Sequence, residues 1–72
     1  MLPIAGRVDA TIAQVVPVTI HGDRYVDLVL DHAQGRDAAR VPLHAFARHP
    51  AVGDRVRLTV LLGQVDSVEH LL

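Results

Sequence analysis

The chain contains no cysteine, no lysine and no tryptophan, and its only aromatic residues are Tyr25 and Phe46. Without cysteine there is no disulfide, no thiolate zinc site and no cysteine nucleophile. Without lysine, each of the seven basic side chains is an arginine, a planar fork suited to carboxylate or phosphate. That usage also fits a GC-rich, bacterial genome. Long apolar runs are missing too. The longest are as short as Val60-Leu61-Leu62, which cannot span a bilayer. The first residues lack a basic stretch followed by an apolar one, so no signal peptide is read and the expected location is cytoplasmic. A formal net charge of −1 supplies no field to draw in nucleic acid or an anionic membrane. Serine occurs once, at Ser67, and there is no Gly-x-Ser-x-Gly, phosphate loop or His-Glu-x-x-His. The expectation is a protein without enzymatic activity, cofactor or resident metal.

What is there is aliphatic. Half of the 72 residues are hydrophobic, mostly Val, Leu, Ala and Ile. The length allows one small domain, 1–72, which on folding hides only about 60% of its exposable surface. Oligomerisation is the common remaining way to stabilise such a chain. Branched aliphatics pack well on a pleated surface, which favours sheet.

The patterning agrees. Val8, Ala10, Ile12, Val16, Val18 and Ile20 are all even-numbered, with Arg7, Asp9, Thr11 and Thr19 on the odd side. A period of two marks a strand with one apolar face. Gln14 interrupts the set and Pro17 removes a backbone donor, so Arg7 to Ile20 reads as one long bent strand or as two strands. His21-Gly22-Asp23 is a turn, and Arg24 to Leu30 returns as the second arm of a hairpin. Ala38 to Leu43 is a short strand with Ala39, Val41 and Leu43 on the core side. Residues 43–49 suit one or two helical turns, stopped by Pro50, with Leu43 and Phe46 inward. Gly53-Asp54 then opens a regular strand in which Val56, Leu58, Val60 and Leu62 share one face and Arg55, Arg57, Thr59 and Leu61 the other. After Gly63, residues 64–72 fit either a helix, through Val65, Val68, Leu71 and Leu72, or a bulged strand; the β-rich surroundings favour strand.

In this order the chain resembles the OB-fold, a five-stranded Greek-key barrel. Three features carry the resemblance: the broken strand Gly6–Ile20, the helical turn Leu43–His49 between the third and fourth strands, and Val52-Gly-Asp-Arg-Val-Arg-Leu. The resemblance implies a mainly β, five-stranded OB-like barrel with one short helical turn near 43–49. It also implies ligand binding across the second and third strands. The outward positions there are Tyr25, Asp27, Val29, Asp31, Ala38 and Arg40, a set with one aromatic, two acids and one base.

Two surface constellations follow. Arg55 and Arg57 project from one side of a strand, about 6–7 Å apart. With Arg40, and with Tyr25 for stacking, they form a candidate contact set for single-stranded DNA or RNA. The plain alternative is a solvated face in which Arg40, Arg55 and Arg57 pair with Asp27, Asp31 and Asp9. The second constellation is surplus aliphatic surface. Val15, Val29 and Leu61 fall on the solvent parity, and Leu71 and Leu72 lie at the end of the chain. Val29, Leu61, Leu71 and Leu72 are the candidate interface with a protein partner or with a second copy. Five histidines are read as surface residues in loops, since no His-x-x-x-His pair exists to hold a metal. The nucleic-acid reading is placed narrowly first and the protein-interaction reading second.

Overall fold

The computed structural model describes residues 2–71. Five strands form one antiparallel sheet: β1 (Ala5–Ile20), β2 (Asp23–His32), β3 (Gly35–Pro42), β4 (Arg55–Leu61) and β5 (Gln64–Leu71), in the order β3-β2-β1-β4-β5. A single 3₁₀ turn, Leu43–Ala45, links β3 to the segment before β4. This is shorter than the one to two helical turns expected over 43–49. Phe46 is already extended and buries its ring. The segment 64–71 is strand, and it carries the extra residue that its irregular spacing suggested. Val60 faces Val65 and Thr59 faces Ser67, which leaves Asp66 as a bulge.

One face of the sheet is the core. Ile12, Val26, Leu28, Leu30, Val41, Val56, Leu58 and Val60 are each at most 1% exposed. They come from four strands by simple alternation. Burying each such side chain contributes about 1.5–3 kcal/mol. Leu43 and Ala45 of the 3₁₀ turn, together with Phe46, pack against this cluster.

β1 departs from alternation at one point. Ile12 lies opposite Leu30, but Gln14 lies opposite Val29, so Ala13 is an extra residue with no counterpart in β2. Beyond it every side chain changes face. Val15 turns inward across from Leu28, and Pro17 sits across from Val26. Val16, Val18 and Ile20 end opposite Asp27, Tyr25 and Asp23 on the outer face. The even-numbered apolar set is therefore split in two. Val8, Ala10 and Ile12 face the core, whereas Val16 is 42% exposed. The expectation that Val15 faces solvent is reversed for the same reason.

The Gly-Asp pair before β4 anchors this region. Gly53, at φ 92°, donates its amide to the Ile12 carbonyl at 2.8 Å, and the Ile12 amide donates to the Asp54 carbonyl at 2.9 Å. Asp54 closes its own turn, with its carboxylate accepting the Ala51 amide at 2.9 Å and its amide reaching the Ala51 carbonyl at 3.1 Å. A side chain at residue 53 would be strained by that positive φ. The turn thus pins the start of β4 to β1 immediately before the bulge.

The ladder does not close into a ring. β3 and β5 are both edges, and because every pairing is antiparallel they run in the same direction as β1. Both edges are guarded against pairing with another chain. β3 carries Arg36, Asp37 and Arg40 and ends at Pro42; β5 carries Asp66 in its bulge and Glu69.

The absence of cysteine makes the parity change directly testable. With single substitutions Val15→Cys and Val16→Cys, a maleimide should label the native Val16→Cys protein rapidly and the Val15→Cys protein slowly. Equal rates would contradict a bulge at Ala13.

Candidate functional site

The arginines expected to form a track do not act together. Arg40 Nε and Nη2 donate to both oxygens of Asp27 at 2.7 and 3.0 Å. Arg57 grips Asp9 in the same way at 2.7 and 3.2 Å, and Arg36 grips Asp31 at 2.6 and 3.0 Å. Each pair is a direct cross-strand partnership set by register. Two of the pairs are those named by the solvated-face alternative; Asp31 goes to Arg36 rather than to Arg55. Arg55 lies opposite Thr11 and Leu71 and makes no ion pair among the described residues. The Arg57 and Arg40 sites are also far apart. Their partners along β1 are Asp9 and Val16, a separation of roughly 20 Å at strand rise. Tyr25 is half-buried beside Pro42 on the β2–β3 side.

These pairs shift the carboxyls. The Arg57 guanidinium holds Asp9 below the usual carboxylate range, with Arg55 adding to the effect. Arg40 does the same for Asp27 and Arg36 for Asp31. Asp54 is also lowered, first by the Ala51 amide and then by His70.

The expected interface residues separate. Val29 lies on the outer face of β2, above a shallow hollow of about 410 Å³ lined by Val16, Ala38 and the Asp27–Arg40 pair. Leu61 lies at the far end of β4 and is 51% exposed. Leu71 is half-buried opposite Arg55. Leu72 falls outside the described residues.

Leu61 has company in Leu62, which alternation places with Val56, Leu58 and Val60 on the core side but which the structure exposes. The β4–β5 turn is Leu62-Gly63, with φ 52° and 75°. Positive φ at both central residues is the I′ hairpin pattern, which favours Asn-Gly. A leucine there costs about 1 kcal/mol in backbone strain, yet Leu62 is 87% exposed and gains no packing in return. The Gly63 amide donates to the Ile4 carbonyl at 2.8 Å. This brings Ile4, itself 76% exposed, to the same end of the sheet. The available signal was Leu-Gly standing at a two-residue hairpin turn.

Two histidines expected in solvent are enclosed. The His32 side chain is fully buried; its Nδ1 accepts the Gln34 amide and its Nε2 meets Asp37 at 2.7 Å. That fixes the Nε2–H tautomer. His70 Nε2 lies 3.1 Å from Asp54, its ring is tilted against Phe46 at 6.0 Å, and its Nδ1 is buried without a hydrogen-bond partner. Neither ring reaches a substrate-sized opening with a free nitrogen. Among the described residues, no three His, Asp or Glu side chains converge to hold a metal. No helix among the described residues is long and apolar enough to cross a membrane.

Comparison of the chain with protein-family models, with curated proteins and with solved structures found no match.

The lowered carboxyls set a pH dependence. The folded values lie below the unfolded ~3.9, so the unfolded state takes up protons first in acid and stability falls as pH drops. The melting temperature should show no loss from these groups above about pH 5, then decline steadily from about pH 4 downward. The triple variant Asp9→Asn, Asp27→Asn, Asp31→Asn should show a shallower decline by circular dichroism. An unchanged slope would remove the three pairs as its cause.

Proposed function

We propose that this chain is a small non-enzymatic module that binds another protein through the apolar end formed by Ile4, Leu61 and Leu62. The carrying observation is Leu62, a large aliphatic side chain held almost fully in solvent on a strained backbone. Strain that stability does not require points toward a function. The turn is closed by hydrogen-bonded strands on both sides, so the knob is pre-organised and little freedom is lost on docking. The chemistry of the knob selects a partner with a preformed aliphatic pocket, because three exposed side chains are too few for a flat interface of standard size.

The same reading takes the sheet as an OB-like barrel left open between β3 and β5. The support is the cyclic neighbourhood of the strands: β1 is central, and the two edges run in parallel and approach one another. It assigns no catalysis; of the five histidines, His32 and His70 have ring nitrogens that are bonded or sealed. A second reading, binding of single-stranded DNA or RNA, keeps one specific support in Arg55, which makes no ion pair among the described residues, although its charge is felt by Asp9. Three of the seven arginines are already tied to aspartates, which weakens any phosphate track.

A photo-crosslinking phenylalanine analogue at position 62 tests the knob in cells. A discrete protein adduct is expected at position 62 and none from the same analogue at exposed Ala47. No adduct, or the same adducts at both positions, would overturn the reading. Leu62→Asn should raise stability by about 1 kcal/mol through relief of strain, while abolishing partner capture at the knob. An oligonucleotide titration at low salt addresses the second reading, for which absence of binding to any single strand is decisive.

A further inference from the structure

The outer face of β2 and β3 carries a pattern that the knob does not use. Along β2 the outward side chains are Tyr25, Asp27, Val29 and Asp31. Directly across on β3 they are Pro42, Arg40, Ala38 and Arg36. One strip is acidic and aliphatic, and the strip beside it is basic and aliphatic, with charged and uncharged positions in step. Arg36, Ala38 and Arg40 are exposed on this face, and Leu2, Gly63, Gln64 and Val65 border it at a second hollow shared with Tyr25, Pro42, Ala38 and Arg40. The shallow hollow over Val29 and Ala38 lies at its middle.

We propose that this face joins two copies of the chain in a two-fold symmetric dimer, with the acidic strip of each lying on the basic strip of the other. The inference goes beyond the knob and does not rest on it, since Leu62 lies outside these strips. A two-fold axis in the plane of contact, parallel to the strands and midway between β2 and β3, exchanges the strips and keeps each row in place. Asp27 then faces the partner subunit's Arg40, and Asp31 faces the partner subunit's Arg36. Val29 faces the partner subunit's Ala38, filling the hollow with a larger side chain. Tyr25 faces the partner subunit's Pro42, ring on ring. Every charged position meets its opposite, and every uncharged position meets an uncharged one. Such self-complementarity is what an isologous contact requires, and aligned sheets pack with their strands within about 30°. The arginines remain bidentate within each chain, and a carboxylate has lone pairs left to accept a second guanidinium.

Eight side chains per copy are fewer than the roughly 20–30 of a standard interface. The dimer is therefore expected to be weak, to form at high protein concentration and to loosen as salt rises.

Sedimentation equilibrium at low salt gives the test. The wild-type chain should move from one to two copies in mass as concentration rises, and return to one copy at high salt. Asp27→Arg with Asp31→Arg makes both strips basic, and Arg36→Asp with Arg40→Asp makes both acidic. Each double variant alone should stay monomeric, because like charges then oppose each other across the contact. An equimolar mixture of the two should form a one-to-one heterodimer. Circular dichroism checks that both variants are folded. If either is not, concentration-dependent amide shifts of the wild-type protein take over, expected at Val29 and Ala38 and absent at Val52. A wild-type monomer at all concentrations, a mixture that stays monomeric, or amide shifts elsewhere would overturn the proposal.

Discussion

Much of this molecule follows from the demand placed on β1. It is the only strand that pairs with both halves of the sheet, β2 on one side and β4 on the other, and it must supply core side chains to each. The two pairings occupy different lengths of the strand. β4 uses Ala5 to Thr11, and β2 uses Ala10 to Ile20. At their junction sits Ala13, and just before it Ile12 bonds through both backbone groups to the Gly53-Asp54 turn. A bulge there increases twist and bends the strand, which lets one continuous chain line two parts of a single core.

The outer surface inherits its character from the same register. Each of Asp9, Asp27 and Asp31 is laid directly opposite an arginine. Exposed pairs of this kind contribute little stability individually. Their larger effect is to cancel the basic field that seven arginines would otherwise create. What remains is a nearly neutral face with local order in its charges, a surface suited to discrimination rather than to general attraction.

Much of the fold was legible in the sequence, and the failures have physical causes. Strand positions and the hairpin around Gly22 followed from alternation and turn chemistry, and Val56, Leu58 and Val60 were read as the core of β4, whereas Leu62, placed with them, stands in the turn and is exposed. The face assigned to Val16, Val18 and Ile20 failed because a bulge changes parity without changing composition; Ala13 looks like any strand residue. The helix was over-read because Leu43 to Ala47 favours helix locally, whereas burying Phe46 requires extended backbone after a single turn. The arginine pairs were half legible. Their partners could be named, but the choice between Arg36 and Arg55 for Asp31 depends on register. His32 and His70 were misplaced because their burial depends on Asp37 and Asp54, which alternation does not match to them. Leu62 could have been found by asking which residue a two-residue turn prefers.

The strand order also governs how the chain assembles. β1, β2 and β3 are joined by short turns and pair with their sequence neighbours. The β1–β4 ladder, in contrast, joins residues that lie far apart in the chain, such as Asp9 and Arg57, 48 positions apart, and Ala5 and Leu61, still further apart. Closing that span costs chain entropy before any of its contacts form, and topologies rich in such pairings fold more slowly than local ones. Until β4 docks, the buried faces of Ile12, Leu28 and Leu30 lack their cover from Val56 and Leu58. The Gly53-Asp54 turn, which meets β1 at Ile12, is therefore the clasp on which the lifetime of that half-assembled sheet depends.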